Sequence, residues 1–328
     1  MSKINKMSYS AASVFPVKLL KLDILSQDNK ILPIHIQLNP TNVCNFNCTF
    51  CSCANRDKTV MMSLEDITDI MTKARQCGTL SVTITGGGES LSHPKINEII
   101  LLMKKLDIKV GIATNGSLLG NLNQECLDYI TWIRISVSDQ IQKQLSTIGL
   151  SLDDWLFIIR KTVIAARNID WAFSYVLSSK PDYNLLQHII DFSNELNFTH
   201  IRIVSDLFDL DNVPNMDIVK ANLKEDELVI YQGRKDHTTG SKKCLLSLLK
   251  PVIGADGKIY PCCGTQYALK NPGKDYEKTM CMGDAKDIDK IYLEQKFFDG
   301  SICSKCYYSQ YNNALEIITS KIKHGEFV

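Results

Sequence analysis

The sequence lacks any long apolar run and any excess of one charge. No stretch of about 18 consecutive apolar residues occurs, and the N-terminus has no continuous apolar core before a small-residue cleavage site. A membrane-spanning helix and a secretory signal are therefore not predicted, and we expect a cytoplasmic protein. The 37 Lys and Arg residues balance 36 Asp and Glu residues, so nothing draws the chain towards nucleic acid or an anionic membrane.

Cysteine, by contrast, is abundant, with 12 residues among 328. In a reducing compartment this number does not predict a disulfide framework, and the clustering indicates metal or redox chemistry. Cys77 and Cys126 stand alone and are explained as small buried hydrophobes. The remaining cysteines form two groups, which predicts two separate sites: Cys44, Cys48, Cys51 and Cys53, then Cys244, Cys262, Cys263, Cys281, Cys303 and Cys306.

Strand patterns alternate with amphipathic helix patterns as far as about residue 210. Ser63 opens the first helix pattern, with Asp66 at the capping-box offset. This alternation predicts an α/β fold with a parallel sheet, and six units fit a partial (β/α)6 barrel. The predicted strands cover residues 33–38, 79–85, 108–114, 132–138, 171–177 and 200–205. Two helix patterns begin at Ser63 and near Pro94, and three more cover residues 119–130, 151–167 and 183–196.

Beyond about residue 210 the alternation ends and a loop-rich tail begins. Its weak apolar pattern predicts that a metal cluster, more than apolar burial, holds it together. We therefore expect an N-terminal segment at 1–32, the barrel at 33–210, a solvated linker at 211–243 and a small metal-binding domain at 244–328.

Cys44, Cys48 and Cys51 follow the first predicted strand with C-x3-C-x2-C spacing. This position is the carboxyl end of a barrel strand, where barrel folds carry their chemistry. Three thiolates on one tight loop can hold three corners of a cubane iron–sulfur cluster and leave one iron open. Cys53 is too close to Cys51 to supply the fourth corner. A zinc site completed by a distant fourth ligand is the alternative.

With Phe50 directly before the third cysteine, this loop resembles the C-x3-C-x-Φ-C motif of the radical S-adenosylmethionine (radical SAM) superfamily. The resemblance implies that the three cysteines bind a [4Fe-4S] cluster whose open iron binds SAM, with Phe50 near the adenine. The second strand leads into a counterpart of the family's GGGEP motif with Ser in place of Pro, where backbone or carboxylate oxygens can accept bonds from the SAM ammonium. Its residues are Gly86, Gly87, Gly88, Glu89 and Ser90.

Weaker matches follow along the chain. Thr114 and Asn115 begin a TNG sequence often seen in this family, although a simple turn would read the same way. Ser136 aligns with a serine that binds the SAM ribose in relatives, and packing on a strand is the alternative reading. Arg202 lies on the last predicted strand, and it faces either SAM and the substrate or the helix layer.

The tail resembles the SPASM/Twitch extensions found behind some radical SAM barrels. Cys244, Gly257 and Cys262 fit the opening C-x(9 to 15)-G-x4-C pattern, and Cys303 and Cys306 form the closing pair. The shorter Twitch form implies one auxiliary [4Fe-4S] cluster, bound by Cys244, Cys262, Cys303 and Cys306. Cys263 and Cys281 are then spare. Zinc remains the alternative for this site, because C-x2-C pairs bind both metals.

The resemblance implies a 5'-deoxyadenosyl radical that removes hydrogen from a substrate. The leading hypothesis is an oxidoreductase that dehydrogenates a small polar molecule, with the auxiliary cluster accepting an electron and a flavodoxin or ferredoxin as the reducing partner. An epimerase, with Cys281 or Cys263 as hydrogen donor, is second. A peptide-modifying maturase is less favoured, because only about 35 residues precede the first strand, too few for a leader-peptide recognition domain. A zinc-bearing scaffold or binding protein is the alternative without catalysis.

Overall fold

A computed structural model of the chain describes residues 30–234, 237–265 and 276–320, together with Leu19 and Leu25. Most of the predicted N-terminal segment lies outside these residues. The described strands form one sheet of ten strands, in the order β10-β9-β8-β1-β2-β3-β4-β5-β6-β7. The fold is α/β with a mostly parallel sheet, as the sequence predicts.

Seven consecutive strands run parallel and form the wall of a partial barrel. Six of them coincide with the six predicted strands. The seven are β1 (His35–Leu38), β2 (Ser81–Ile84), β3 (Lys109–Thr114), β4 (Trp132–Ser138), β5 (Asp170–Leu177), β6 (His200–Ser205) and β7 (Val229–Gln232). The helices between them are α1 (Leu64–Gln76), α2 (Ile96–Lys105), α3 (Gln124–Tyr129), α4 (Ile141–Ser146), α5 (Leu152–Ala165), α6 (Tyr183–Glu195) and α7 (Met216–Ala221).

Capping residues in the sequence explain where the longer helices begin. The Ser63 side chain accepts a hydrogen bond from the Asp66 backbone N–H at the start of α1, as predicted. Ser151 and Asp154 form a complete capping box at the start of α5.

Strand alternation decides which side chains reach the barrel lumen. Along β4, Ile133 and Ile135 are fully buried in the hydrophobic core, while Arg134 and Ser136 keep solvent contact on the other face. Because successive strand residues point to opposite faces, Arg134 and Ser136 face the lumen.

The segment 211–243, predicted to be a solvated linker, contains regular structure. It includes α7 and the strand β7, which pairs in parallel with β6. The sequence analysis missed β7 because it has four residues, all half-buried, and follows a charged stretch. A short strand of this kind carries no clear alternation.

The tail extends the same sheet. β8 (Val252–Ile253) pairs in parallel with β1, and β9 (Lys258–Tyr260) and β10 (Gly283–Asp284) follow as antiparallel strands. The expected weak core is therefore wrong, because short tail elements bury apolar residues in the main core, including Leu248, Ile253, Ile259, Ile288 and Leu315. The tail helices are α8 (Leu246–Leu249), α9 (Tyr276–Met280), α10 (Ile288–Glu294) and α11 (Ser309–Thr319). None of the helices described is long and apolar enough to cross a membrane.

Candidate active site

A cavity of about 300 Å³ opens at the carboxyl ends of the parallel strands. Cys44, Cys48 and Cys51 all line it, together with Phe50 from the same loop. The loops after β2 and β3 and the lumen faces of β4 to β6 complete its wall. The structure thus brings the three predicted thiols together in one cavity.

Burial disfavours the thiolate form of these three cysteines when no cation is bound. Burial raises the pKa of Cys44, and burial with repulsion from Cys44 raises the pKa of Cys48 to about 12. The pKa of Cys51 is also raised, first by its hydrogen bond with Cys53 and then by burial. A cationic iron–sulfur cluster would remove this penalty, so the donor set suits such a group.

The spacing of the metal-binding side chains does not suit a single ion. Among the residues that the structure describes, no three His, Cys, Asp or Glu side chains are grouped closely enough to hold one metal ion. Zinc needs four ligands at about 2.0 to 2.3 Å. The described side chains around the first cavity therefore do not form a ready-made site for a single zinc ion.

The glycine loop after β2 packs directly on the cysteine loop. A Cβ atom at Gly87 would lie 1.7 Å from Asn42 Oδ1, and one at Gly88 would lie 2.1 Å from the Val43 carbonyl oxygen. Only glycine allows this approach. Asn42 Oδ1 is buried and has no hydrogen-bond partner in the part of the chain that the structure describes.

Glu89 fastens the glycine loop to the loop after β3. Its carboxylate accepts hydrogen bonds from Leu91 N (3.0 Å), Thr114 Oγ1 (2.6 Å) and Asn115 N (2.7 Å). Burial raises the pKa of Glu89, and these bonds partly offset the rise. The neighbouring Ser90 does not line the cavity, and its hydroxyl donates to the Ala113 carbonyl instead (3.2 Å).

Asn115 also ties the loop after β3 to the cysteine loop. Asn115 Nδ2 donates to Asn45 Oδ1 (2.8 Å), and Asn45 Nδ2 donates to Ser117 Oγ (2.9 Å). The Asn115 carbonyl accepts from Trp155 Nε1 (2.9 Å). The sequence analysis missed Asn45, although it lies directly after the first motif cysteine.

Three polar side chains form a row across the lumen faces of β4, β5 and β6. Strand register aligns Ser136 with Ser174 and Ser174 with Arg202, and all three line the cavity. Arg202 Nη2 donates to Ser174 Oγ (3.0 Å). The sequence analysis missed Ser174, because no motif marks a strand serine. Its neighbour Tyr175 points the other way and donates to Asp139 Oδ1 (2.6 Å).

The four predicted tail ligands line a second, smaller cavity of about 30 Å³: Cys244, Cys262, Cys303 and Cys306. Backbone pairing positions them, since Cys306 N donates to Thr238 O (2.7 Å) and Cys244 N donates to Phe298 O (3.1 Å). Burial raises the pKa of Cys244 to about 11 and, with repulsion from Cys244, that of Cys303 to about 12. The structure thus brings the four predicted thiols to one small cavity.

The two spare cysteines line neither cavity. Cys263 is exposed, and its Sγ lies 2.9 Å from the Tyr308 hydroxyl oxygen. Cys281 Sγ donates to the Gly283 carbonyl (3.5 Å). The structure therefore does not bring either thiol to the first cavity.

Comparison with known proteins identifies the part of the chain that carries the three clustered cysteines. Residues 38–156 match the Radical SAM superfamily. This part of the chain is a radical SAM domain. It contains the three clustered cysteines, the glycine loop and Ser136, and the radical SAM family implies a [4Fe-4S] cluster and SAM at such a site.

Curated relatives match part of the chain. The chain is 27% identical over 175 residues to a probable GTP 3',8-cyclase of Sulfurisphaera tokodaii, covering 52% of this chain and 55% of the relative. It is 29% identical over 123 residues to the antilisterial bacteriocin subtilosin biosynthesis protein AlbA of Bacillus subtilis, covering 37% and 25%. The chain spans about half the length, or less, of these curated relatives.

Solved structures share the fold beyond the radical SAM domain. Streptococcus suis SuiB bound to the precursor peptide SuiA superposes with a TM-score of 0.57 at 19% identity, covering 92% of this chain and 76% of SuiB. The protein anSMEcpe with bound AdoMet and the Kp18Cys peptide gives a TM-score of 0.52 at 14% identity, covering 88% and 84%. At these identities the likeness concerns the fold alone.

Proposed function

We propose that this protein is a radical SAM enzyme that binds a [4Fe-4S] cluster through Cys44, Cys48 and Cys51. The observation that carries the proposal is that these three thiols and the glycine loop line one cavity. The cluster and SAM, when bound, supply a radical that removes a hydrogen atom from the substrate. The protein's own task is then to orient SAM and the substrate and to exclude water.

Different residues around the cavity are proposed to bind different parts of SAM. Backbone oxygens of the glycine loop and the unpartnered Asn42 Oδ1 can accept from the SAM ammonium, whereas the Glu89 carboxylate already accepts three bonds. Ser136 is the proposed ribose ligand, and Phe50 is the proposed neighbour of the adenine. Arg202 is a proposed ligand of a carboxylate.

We further propose a two-electron oxidation of a small polar substrate. After loss of a hydrogen atom, the substrate completes its oxidation by releasing a proton to solvent and an electron to the second site. The four tail thiols, as ligands of a second [4Fe-4S] cluster, would supply that electron acceptor, and a flavodoxin or ferredoxin would reduce the first site. The support is that both thiol sites belong to one sheet, through the pairing of β8 with β1.

Peptide modification is the second candidate. It is favoured by the edge position of β7 in the described sheet, where an extended peptide could add as a further strand. The relative AlbA is a bacteriocin biosynthesis protein, which also favours this candidate. Epimerisation has less support, because neither Cys263 nor Cys281 lines the first cavity.

Anaerobic reconstitution tests the proposal. We expect about eight irons per chain and release of 5'-deoxyadenosine when SAM and dithionite are added. Replacing Cys303 and Cys306 together with serine should halve the iron and preserve SAM cleavage, whereas Cys77→Ser, at an isolated half-buried cysteine, should change neither. Zinc at the first site, or loss of all iron in the double variant, would refute the arrangement. A substrate product two hydrogens lighter separates oxidation from epimerisation.

A further inference from the structure

One side chain of α11 forms part of the wall of the second cavity. Asn312 lines that cavity together with Cys244 and Leu246. Only 3% of the Asn312 surface is exposed. A buried amide has a donor and an acceptor that both need partners, so its hydrogen bonds show which part of the chain it holds.

The Asn312 amide binds the chain on both sides of Cys244. Its Oδ1 accepts hydrogen bonds from Leu245 N (2.6 Å) and Leu246 N (3.4 Å), and its Nδ2 donates to Lys243 O (2.9 Å). Cys244 lies directly between these partners in the chain. The amide therefore fixes the position of Cys244 relative to α11, the helix that follows the Cys303 and Cys306 pair.

A second set of hydrogen bonds holds the same turn. The fully buried Ser247 donates from Oγ to Cys244 O (2.6 Å) and accepts from Phe298 N (3.1 Å). Cys244 N in turn donates to Phe298 O (3.1 Å). The turn after Cys244 is therefore held by two separate parts of the tail, α11 and the segment at Phe298.

The held turn presents backbone N–H groups to the Cys244 sulfur. Burial raises the pKa of Cys244, and hydrogen bonds from Ser247 N–H and Leu246 N–H oppose this rise. Donors of this kind stabilise negative charge on sulfur. Reduction adds one negative charge to an iron–sulfur cluster, and hydrogen bonds to its sulfurs are among the features that set its reduction potential. These two N–H groups would therefore raise the potential of a cluster bound here.

We propose that Asn312 is a positioning residue of the second site: it holds the turn after Cys244 so that the N–H groups of Leu246 and Ser247 stay on the Cys244 sulfur. Through these bonds Asn312 raises the reduction potential of the [4Fe-4S] cluster proposed for the four tail thiols. This inference rests on the proposed function, in which that cluster accepts one electron from the substrate. A higher potential makes the cluster a better acceptor of that electron.

A potentiometric titration of the reconstituted protein, followed by electron paramagnetic resonance, tests the inference. Addition of SAM distinguishes the two clusters, because only the first is proposed to bind SAM. Asn312→Ala should make one-electron reduction of the second cluster about tenfold less favourable, a fall of about 59 mV in its potential. The potential of the first cluster should stay unchanged.

Asn97→Ala is the matched control. The Asn97 amide also binds backbone on both its groups, since Oδ1 accepts from Asn123 N (3.0 Å) and Nδ2 donates to Asn121 O (2.8 Å). Asn97 belongs to α2 of the barrel and lines neither thiol cavity. Its loss should therefore change neither potential.

A second variant keeps the test decisive if Asn312→Ala loses iron from the second site alone. Asn312→Asp should then restore that iron, because a carboxylate oxygen can still accept from Leu245 N. An unchanged second potential in Asn312→Ala, an equal shift of both clusters, or iron loss that Asn312→Asp does not restore would overturn the inference. A wild type with only about four irons would overturn the proposed second cluster as well. Two clusters with an unchanged second potential would overturn this inference alone.

Discussion

Glu89→Gln is the substitution that best tests how the first cavity is built. The amide has almost the volume of the carboxylate, so the substitution leaves no hole. It leaves one acceptor oxygen where three donors now share two oxygens: Leu91 N, Thr114 Oγ1 and Asn115 N. Whichever way the amide lies, its NH2 group faces at least one of the two backbone N–H donors.

The expected loss follows from that mismatch. A buried N–H left without an acceptor costs about 1 to 3 kcal/mol. Loss of the buried negative charge offsets part of this cost, because burial raises the pKa of Glu89. We therefore expect Glu89→Gln to lower the free energy of unfolding by about 1 to 2 kcal/mol. If about 1.4 kcal/mol of this falls on the loops that we propose to bind SAM, SAM binds tenfold more weakly.

Two measurements on the reconstituted protein check this expectation. Equilibrium dialysis gives the dissociation constant of SAM, and anaerobic thermal unfolding followed by circular dichroism gives the stability. Glu125→Gln is the matched control, because Glu125 pairs with Lys104 at the surface (3.1 Å), where ion pairs contribute little. If Glu89→Gln matches this control in both measurements, Glu89 does not fasten the two loops.

Three further outcomes are expected. Gly88→Ala should abolish SAM cleavage in the reconstituted protein, because its Cβ would lie 2.1 Å from the Val43 carbonyl oxygen, whereas Gly120→Ala, with open space around it, should retain activity. His200→Gln should reduce the loss of stability in acid: burial, with repulsion from nearby arginines, lowers the pKa of His200 from 6.5 to about 3. Above pH 6.5 the wild type therefore keeps its full free energy of unfolding, and by pH 4 it loses about 3 kcal/mol of it. Urea unfolding at both pH values can detect this loss. Cys53→Ser should leave the iron content of the first site unchanged, because Cys44, Cys48 and Cys51 are the proposed ligands and serine can keep the hydrogen bond that Cys53 Sγ donates to the Gly86 carbonyl (3.6 Å).

The sequence predicts that the motif cysteines and the glycine loop meet, because these parts of the first cavity are local. One loop carries all three thiols, and the glycine loop follows the next strand, so the βα alternation alone brings them to one edge of the sheet. Ser174 could not be recognised, because a strand serine reads the same on either face until register is known. Glu89 belongs to the loop whose backbone or carboxylate oxygens are predicted to accept from SAM, and no sequence pattern showed that its carboxylate also fastens two loops.

The pairing of β8 with β1 could not be predicted for a different reason. It joins two strands that are far apart in the chain, and no local pattern encodes that contact. The strand β7 escaped because four half-buried residues carry too little periodicity. Sequence motifs therefore do not predict the pairing of strands that are far apart in the chain.

That same pairing fixes the geometry between the two thiol sites. Gln37 N donates to Pro251 O (3.0 Å) and Asn39 N donates to Ile253 O (2.9 Å), so the strand that leads into the cysteine loop is bonded directly to the tail. Arg56, just beyond the cysteine loop, lies 5.8 Å from the ring centroid of Tyr260 on β9. Adjacent strands lie about 4.8 Å apart whatever the length of the chain between them. The sheet therefore bonds the strand that leads into the cysteine loop directly to the tail that carries the second group of thiols.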